Sequence, residues 1–171
     1  VALVIVDFVT NKQEDAQKMT KPDDFDLQAF LPYLLNQAAE EASLGFQKIY
    51  KDRYGLLRSE WRVLFHLGIF GRLTATEIGA KGKVHKTKVS RAVQRLADRR
   101  LVKRARSEED RRVEWLELTP TGEKVYLDLR EVAQDYESSF SIQLNDAELQ
   151  TLKGILLRLA GRSSSGTTIQ R

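Results

Sequence analysis

The stretch from residue 101 to 122 carries the side chains with the most specific chemistry in this sequence. It reads LVKRARSEEDRRVEWLELTPTG, two strand-like runs joined by a charged turn. Basic side chains at the tip of a ribbon fit a narrow polyanionic groove, so we expect Arg112 to enter a DNA minor groove while the Asp110 carboxylate holds its guanidinium. The competing interpretation is an exposed ion pair in a turn, which contributes little. Arg111 would contact a phosphate or remain in water.

A basic helical stretch directly precedes this ribbon. Val89, Val93 and Leu96 recur at helical spacing and predict one buried face. The first turns carry groups that can bond base edges and phosphates, and we predict DNA contacts from Lys86, Thr87, Lys88, Ser90 and Arg91. Arg95 is a further DNA-binding candidate, although both it and Arg99 are also placed to meet the backbone or acidic neighbours.

Positive charge is concentrated around these two segments. The whole chain has a net charge of +4, whereas residues 81–112 hold 13 Lys or Arg against 4 Asp or Glu. Phosphate neutralisation requires such a local excess, because each contacted phosphate releases condensed counterions. A solvated charged face is the alternative explanation.

A second group of residues suits a small ligand. Trp61, Arg62 and His66 lie on one predicted helix, and Tyr33 on an earlier helix is placed to face them. Arginine can pair with a carboxylate while the rings stack on an aromatic body, so these four residues form a candidate effector pocket. The competing interpretation is that Trp61 belongs to the core and that Arg62 and His66 make structural hydrogen bonds.

Apolar periodicity predicts a mainly α-helical chain with one small β-hairpin. Helices are expected from Phe25 to about Lys51 and at 58–67, 75–80 and 86–99, strands at 102–106 and 113–118, and helices from Thr119-Pro120 through Phe140 and after Asn145. Thr74 with Glu77 forms a capping-box pattern, and Asn145 with Glu148 resembles another. Helix, short turn, basic helix and hairpin describe a winged helix-turn-helix.

Three segments resemble the multiple-antibiotic-resistance regulator (MarR) family of bacterial transcription factors. They are YGLLRSEWRVLFHLGIFGRLTATEIGA, HKTKVSRAVQRLADRRLVKR and SEEDRRVEWLELTPTGEK, and the resemblance extends over roughly residues 25–161. Its most specific part is D-x-R followed by L-x-L-T-x-x-G, which is formed here by Asp110, Arg112, Leu116, Leu118, Thr119 and Gly122.

The resemblance implies a triangular homodimer with one winged helix-turn-helix at each lower corner. Family members bind palindromic operators, usually repress, and release DNA when a small ligand, often an aromatic acid, or an oxidant changes the spacing of the two DNA-reading domains. We therefore expect a repressor, and the sequence leaves an activator of the same architecture open. The expected parts are an extension at 1–24 that is partly disordered or added for expression, a dimerisation helix at 25–53, the winged helix-turn-helix at 54–119, C-terminal dimerisation helices at 120–161 and a flexible tail at 162–171.

Two capping positions depart from the family pattern. Leu57 stands where a polar residue usually caps the second helix. His85 stands where Asp or Ser often caps the recognition helix, so we expect that helix start to rely on the backbone or on a phosphate.

Other functional classes lack their residues. The chain has no cysteine, which excludes disulfides, thiolate metal sites and thiol-oxidation sensing. Gly79-x-x-Gly82-Lys83 has the wrong spacing for a phosphate-binding P-loop, and His66 and His85 are the only histidines. We therefore expect no metal, no cofactor, no membrane contact and no enzyme, but a cytoplasmic protein. The alternative function is a winged-helix protein-interaction module without sequence-specific DNA binding.

Overall fold

The computed structural model describes residues 25–110 and 112–161, and within those ranges it contains six α-helices and three β-strands. In chain order these are α1 (Leu31–Tyr54), α2 (Arg58–Phe70), β1 (Leu73–Thr74), α3 (Ala75–Gly82), α4 (Lys86–Asp98), β2 (Val102–Arg106), β3 (Glu114–Leu118), α5 (Pro120–Phe140) and α6 (Asp146–Leu159). The predicted mainly helical fold with a hairpin wing is confirmed. The extension predicted at 1–24, the tail at 162–171 and Arg111 lie outside the described residues.

The chain divides into two compact units, residues 1–43 and 44–171, and α1 contributes to both. In the first unit, the predicted helix start at Phe25 is wrong, since α1 begins at Leu31. Residues 27–29 form a turn instead, in which an Asp26 carboxylate oxygen accepts a hydrogen bond from the Gln28 amide over 2.9 Å. Such a side-chain bond offers the backbone an alternative to the helix.

The second unit has a core to which every described helix and strand except α6 contributes buried residues. Its fully buried leucines include Leu64 on α2, Leu96 on α4, Leu116 on β3 and Leu129 on α5. An aromatic cluster extends this core, because the Phe46 ring lies 5.5 Å from Trp61 and 5.6 Å from Tyr136, between centroids. The apolar face predicted for α4 is the one that packs.

Helix α2 is three residues longer than predicted, because Gly68 does not end it. A methyl group at Gly68 would lie 2.4 Å from a ring carbon of Tyr126, so this glycine allows α5 to approach α2 closely. The helix ends at Gly71, which has a φ of 72°. Positive φ favours glycine at a helix C-terminus.

Both predicted capping boxes are confirmed. The Glu77 amide donates to the Thr74 hydroxyl over 3.2 Å, and a Glu77 carboxylate oxygen accepts from the Thr74 amide over 2.7 Å. Asn145 and Glu148 form the same reciprocal pair over 3.0 and 2.8 Å. Each box satisfies main-chain donors that a helix start leaves without a partner.

The three strands form one antiparallel sheet in the order β1-β3-β2. In the hairpin, Val102 pairs with Leu118 and Arg106 with Glu114. Strand β1 was not predicted, because two residues are too short for an alternating pattern. It joins the start of α3 to the hairpin through the Leu73–Leu116 pair.

Helix α6 has no buried residue and carries an exposed apolar stripe. Leu152, Ile155, Leu156 and Leu159 lie on this stripe, at exposures from 39% to 56%. Within residues 25–110 and 112–161, no helix is both long and apolar enough to cross a membrane.

Candidate nucleic-acid interface

Helix α4 has one buried face and one exposed, basic face. Val89, Ala92, Val93 and Leu96 are buried against the rest of the second unit. The DNA-contacting residues predicted on this helix are all exposed, and they are Lys86, Thr87, Lys88, Ser90, Arg91 and Arg95. The helix therefore presents cations and hydroxyls to solvent on a rigidly packed support.

The expected dependence of the α4 start on the backbone or a phosphate is wrong, because His85 caps the helix itself. Its Nδ1 accepts a hydrogen bond from the Thr87 amide over 3.3 Å. His85 has extended backbone angles, as N-cap residues do, and these place the ring nitrogen within reach of the second helical amide.

The turn between α3 and α4 is fixed by the main chain. The Val84 amide donates to the Gly79 carbonyl oxygen over 3.0 Å, and Lys83 adopts a left-handed conformation with a φ of 49°. This turn places α3 against α4, which is the helix-turn-helix arrangement that the sequence predicted.

At the tip of the hairpin, Asp110 contacts the main chain of Arg112. An Asp110 carboxylate oxygen accepts from the Arg112 amide over 2.9 Å. The expectation that this carboxylate holds the Arg112 guanidinium is therefore corrected, since the aspartate shapes the turn and leaves the Arg112 side chain exposed. Such a bond two residues along the chain is typical of aspartate in turns.

One face of the hairpin is held by ion pairs. Glu117 on β3 pairs with Lys103 on β2 at 2.7 Å and with Arg72 at 3.4 Å. The hydrogen bond from Lys103 lowers the pKa of the Glu117 carboxyl. The Arg72 guanidinium also lies 4.9 Å from the centroid of the Trp115 ring, which explains how this half-buried tryptophan is covered.

The opposite face of the hairpin is tied to α4 by a polar relay. Arg104 on β2 donates to the Gln94 side-chain oxygen over 2.8 Å, and the Gln94 amide donates to Asp98 over 2.7 Å. Arg104 also lies 3.6 Å from Glu114. This relay was not predicted, because nothing in the spacing shows that Arg104 and Gln94 meet.

Glu60 also has a structural role that was not predicted from the sequence. Its side chain is only 3% exposed, yet it accepts from the Leu57 amide over 2.9 Å and pairs with Arg95 at 3.5 Å. Leu57 has no side chain that can cap α2, as predicted, and Glu60 supplies that interaction from the third helical position. A glutamate at the third helical position is the sequence signal that could have predicted this cap.

The expected acidic and main-chain partners of Arg95 and Arg99 are confirmed. Arg95 pairs with Glu60, and Arg99 donates to the Tyr54 carbonyl oxygen.

Trp61, Arg62 and His66 line one cavity of about 720 Å³, which we call the aromatic cavity. Its remaining walls come from Phe65, Ile69, Phe70, Ala80, Lys81, Gly82, Lys83, Ala160 and Gly161. Trp61 also packs against the core, and His66 Nδ1 donates to the Arg62 carbonyl oxygen over 2.6 Å. Trp61 and His66 therefore also fit the competing interpretation, in which one is a core residue and the other makes a structural hydrogen bond. Tyr33 lies in the first unit, where its hydroxyl accepts from Gln37 over 2.7 Å.

Among the described residues, no three His, Asp or Glu side chains are grouped so that they could hold a metal ion. The ion pairs and hydrogen bonds around α4 and the hairpin serve to position basic groups.

The helix-turn-helix, the sheet and the exposed basic helix define a winged helix-turn-helix protein. Residues 54–113 match the model of the MarR family. A relative from Bacillus subtilis, the uncharacterized HTH-type transcriptional regulator YwoH, is 29% identical over 68% of this chain and 85% of its own length. The chain is therefore similar to MarR family transcriptional regulators.

Two solved structures show the same fold. A mutant of Escherichia coli MarR in complex with operator DNA is 20% identical, with a TM-score of 0.72 over 80% of this chain and 98% of its own. Bordetella bronchiseptica BpsR, whose DNA binding is regulated by 6-hydroxynicotinic acid, is 23% identical, with a TM-score of 0.70 over 76% of this chain and 98% of its own.

Proposed function

We propose that this protein is a MarR family repressor that binds a two-fold symmetric operator as a homodimer. The observation that carries the proposal is the exposed basic face of α4 beside a hairpin tied to it by Arg104 and Gln94. This arrangement allows α4 to lie in a major groove while the hairpin reaches the adjacent minor groove. The operator complex of the E. coli protein of the same fold supports this proposal.

The proposed contacts divide by chemistry. Lys86 and Arg91 donate to guanine acceptors, Thr87 contacts a thymine methyl group, and Ser90 with Lys88 bonds phosphates. Arg112 enters the minor groove from a turn shaped by Asp110, while Arg111 contacts a phosphate. Arg95, oriented by Glu60, contacts the DNA backbone.

Two exposed apolar regions support the homodimer. The first unit exposes Phe25, Leu27, Phe30, Leu31 and Leu34, and α6 exposes its own stripe. Apolar surface of this extent is rarely left in water. We assign dimerisation to residues 25–53 and 120–161, which leaves 54–119 as the DNA-binding domain.

We further propose that a small aromatic acid in the aromatic cavity releases the DNA. Arg62 offers a partner for a carboxylate, while Trp61 and His66 offer ring surfaces. The regulation of BpsR by 6-hydroxynicotinic acid, an aromatic acid, supports this ligand class. The cavity volume is in the range of small-molecule sites.

The direct test is selection of bound duplexes from random sequence, followed by affinity measurement for the wild type and Arg112→Ala. We expect a two-fold symmetric consensus and a loss of about 1–3 kcal/mol for the variant. Glu108→Gln, in the same turn, is the control and should not weaken binding. The protein-interaction alternative predicts no preference for a symmetric duplex, and unchanged operator affinity in Arg112→Ala would contradict the assignment of the wing.

A further inference from the structure

A second cavity of about 570 Å³, which we call the basic cavity, lies between the start of α2 and α4. It is lined by Gln47, Leu57, Arg58, Ser59, Glu60, Arg62, Val84, Lys88, Arg91, Ala92 and Arg95. Five of these residues are Lys or Arg, and Glu60 is the one acid among them. A concave surface lined by one sign of charge concentrates the electrostatic field and attracts the opposite charge.

The single carboxylate in this cavity is committed to the protein. Both Glu60 oxygens are engaged, one by the Leu57 amide and the other by Arg95, and the side chain is 3% exposed. Glu60 therefore offsets one of the five positive charges, and the lining keeps a net positive charge. Its contact with Arg95 also orients that guanidinium, which lowers the entropic cost of binding an anion there.

The number of basic groups selects the class of anion. A carboxylate brings one charge and two oxygens to this lining, whereas a phosphate monoester carries up to two charges and offers three oxygens to arginine forks. Leu57, Val84 and Ala92 add an apolar wall, and the volume leaves room for an organic body beside the phosphate. These features differ from those of the aromatic cavity, whose walls are rich in rings.

We propose that the basic cavity binds a small organic phosphate, of which a nucleoside monophosphate is the simplest form. Lys88, Arg91 and Arg95 line this cavity and also belong to the DNA-contacting face, so its occupant competes with operator phosphates. The competition rests on the function proposed above, whereas the binding does not. A DNA backbone phosphate is a diester with one charge, but it is also a phosphate anion that arginine can bind, so the experiment separates the two sources.

The first arm is isothermal titration calorimetry of the full-length protein with adenosine monophosphate in the absence of DNA, at constant ionic strength. We expect saturable binding, and no binding of uncharged adenosine. Arg58→Gln should weaken the binding about fivefold or more, because it removes a charge-assisted contact. Arg58→Lys should recover part of the affinity, and Lys124→Gln, an exposed site on α5 that loses the same charge, should match the wild type. Thermal unfolding of each variant verifies that it is folded.

The second arm measures release of operator duplex by fluorescence anisotropy. Adenosine monophosphate should displace the duplex from the wild type more strongly than sodium chloride of equal ionic strength, and less from Arg58→Gln. Operator binding without saturable nucleotide binding would overturn the inference and leave the cavity to the DNA backbone. Nucleotide binding without any duplex binding would support this site while contradicting the proposed function.

Discussion

Arg104 on β2 donates a hydrogen bond from Nη2 to Oε1 of Gln94 on α4. The Gln94 amide is oriented by Asp98, and Arg104 is also paired with Glu114. This relay connects the recognition helix to the wing and restrains the angle between them. A protein that places α4 and the hairpin on neighbouring grooves needs that angle to be set before it meets DNA, because ordering it on binding would cost affinity.

Gln94→Ala and Arg104→Ala should each weaken operator binding about three- to tenfold, and the double variant should lose less than the sum of the two. Contacting residues of one network show coupling energies of about 0.5–3 kcal/mol. A double-mutant cycle measured by fluorescence anisotropy gives the coupling directly. Strictly additive losses would mean that each side chain acts on DNA independently.

Gly122 allows the first turn of α5 to lie against Leu101. A methyl group at Gly122 would lie 2.0 Å from the Leu101 carbonyl oxygen, which is main chain and cannot move aside cheaply. Gly122→Ala should therefore lower the free energy of unfolding by about 1–3 kcal/mol or more. Urea denaturation followed by circular dichroism measures the change.

Gly154 in α6 is the matched control for Gly122. Nothing lies within 4 Å of a methyl group built there, and Ala is favoured over Gly in a helix by about 1 kcal/mol. Gly154→Ala should leave stability unchanged or raise it slightly. If both variants lost equal stability, close packing would not be the reason for Gly122.

These two relationships show where sequence reasoning succeeds and where it stops. The pattern L-x-L-T-x-x-G, part of the family resemblance, includes Gly122, whose amide donates to the Thr119 hydroxyl three residues earlier. This local contact leaves a trace in the spacing, whereas the bond from the same hydroxyl to the Arg100 carbonyl oxygen and the approach of Gly122 to Leu101 do not. The Gln94–Arg104 bond joins residues whose meeting depends on the α4–hairpin packing, and neither side chain is distinctive by itself.

The same distinction explains the errors at element ends. Gly68 has the appearance of a helix stop, but it lies inside α2, where the ring of Tyr126, far along the chain, packs on it. The Asp110 prediction found the right pair of residues and the wrong group, since Asp110 bonds the Arg112 amide and not its guanidinium, and the opposite charges of the two side chains favoured the ion pair. Helix interiors and capping boxes were predictable because 3.6-residue periodicity and three-residue cap spacing are local.

Glu77 makes the stability of α3 dependent on acid. Hydrogen bonds from the Thr74 amide, and then from its hydroxyl, lower the pKa of the Glu77 carboxyl. A lowered folded-state pKa contributes stability above the unfolded-state pKa, and that stability is lost as the pH falls through the folded-state pKa. Glu77→Gln should thus lose less stability than the wild type between about pH 6 and about pH 3.

Thr74→Ala removes the other half of this capping box. It should cost about 1 kcal/mol at neutral pH and should also flatten the acid dependence, because the donors that lower the Glu77 pKa are reduced. Denaturation at both pH values tests the pair. An acid dependence of the wild type that both variants retain in full would assign it to other carboxyls.

The apolar stripe of α6 predicts the oligomeric state. Leu156 is 42% exposed on a helix without a buried residue, and a charge at this position would be buried by a partner subunit. Leu156→Glu should therefore convert a dimer of 19.6 kDa chains to monomers, since an unpaired buried charge costs several kcal/mol. Gln150→Glu, which adds the same charge to an exposed site on the same helix, should remain dimeric.

Sedimentation equilibrium distinguishes dimers from monomers in the two variants. Operator affinity should fall only for Leu156→Glu, because a single subunit contacts a single half-site. A wild type that sediments as a monomer while binding a symmetric duplex would refute this assignment.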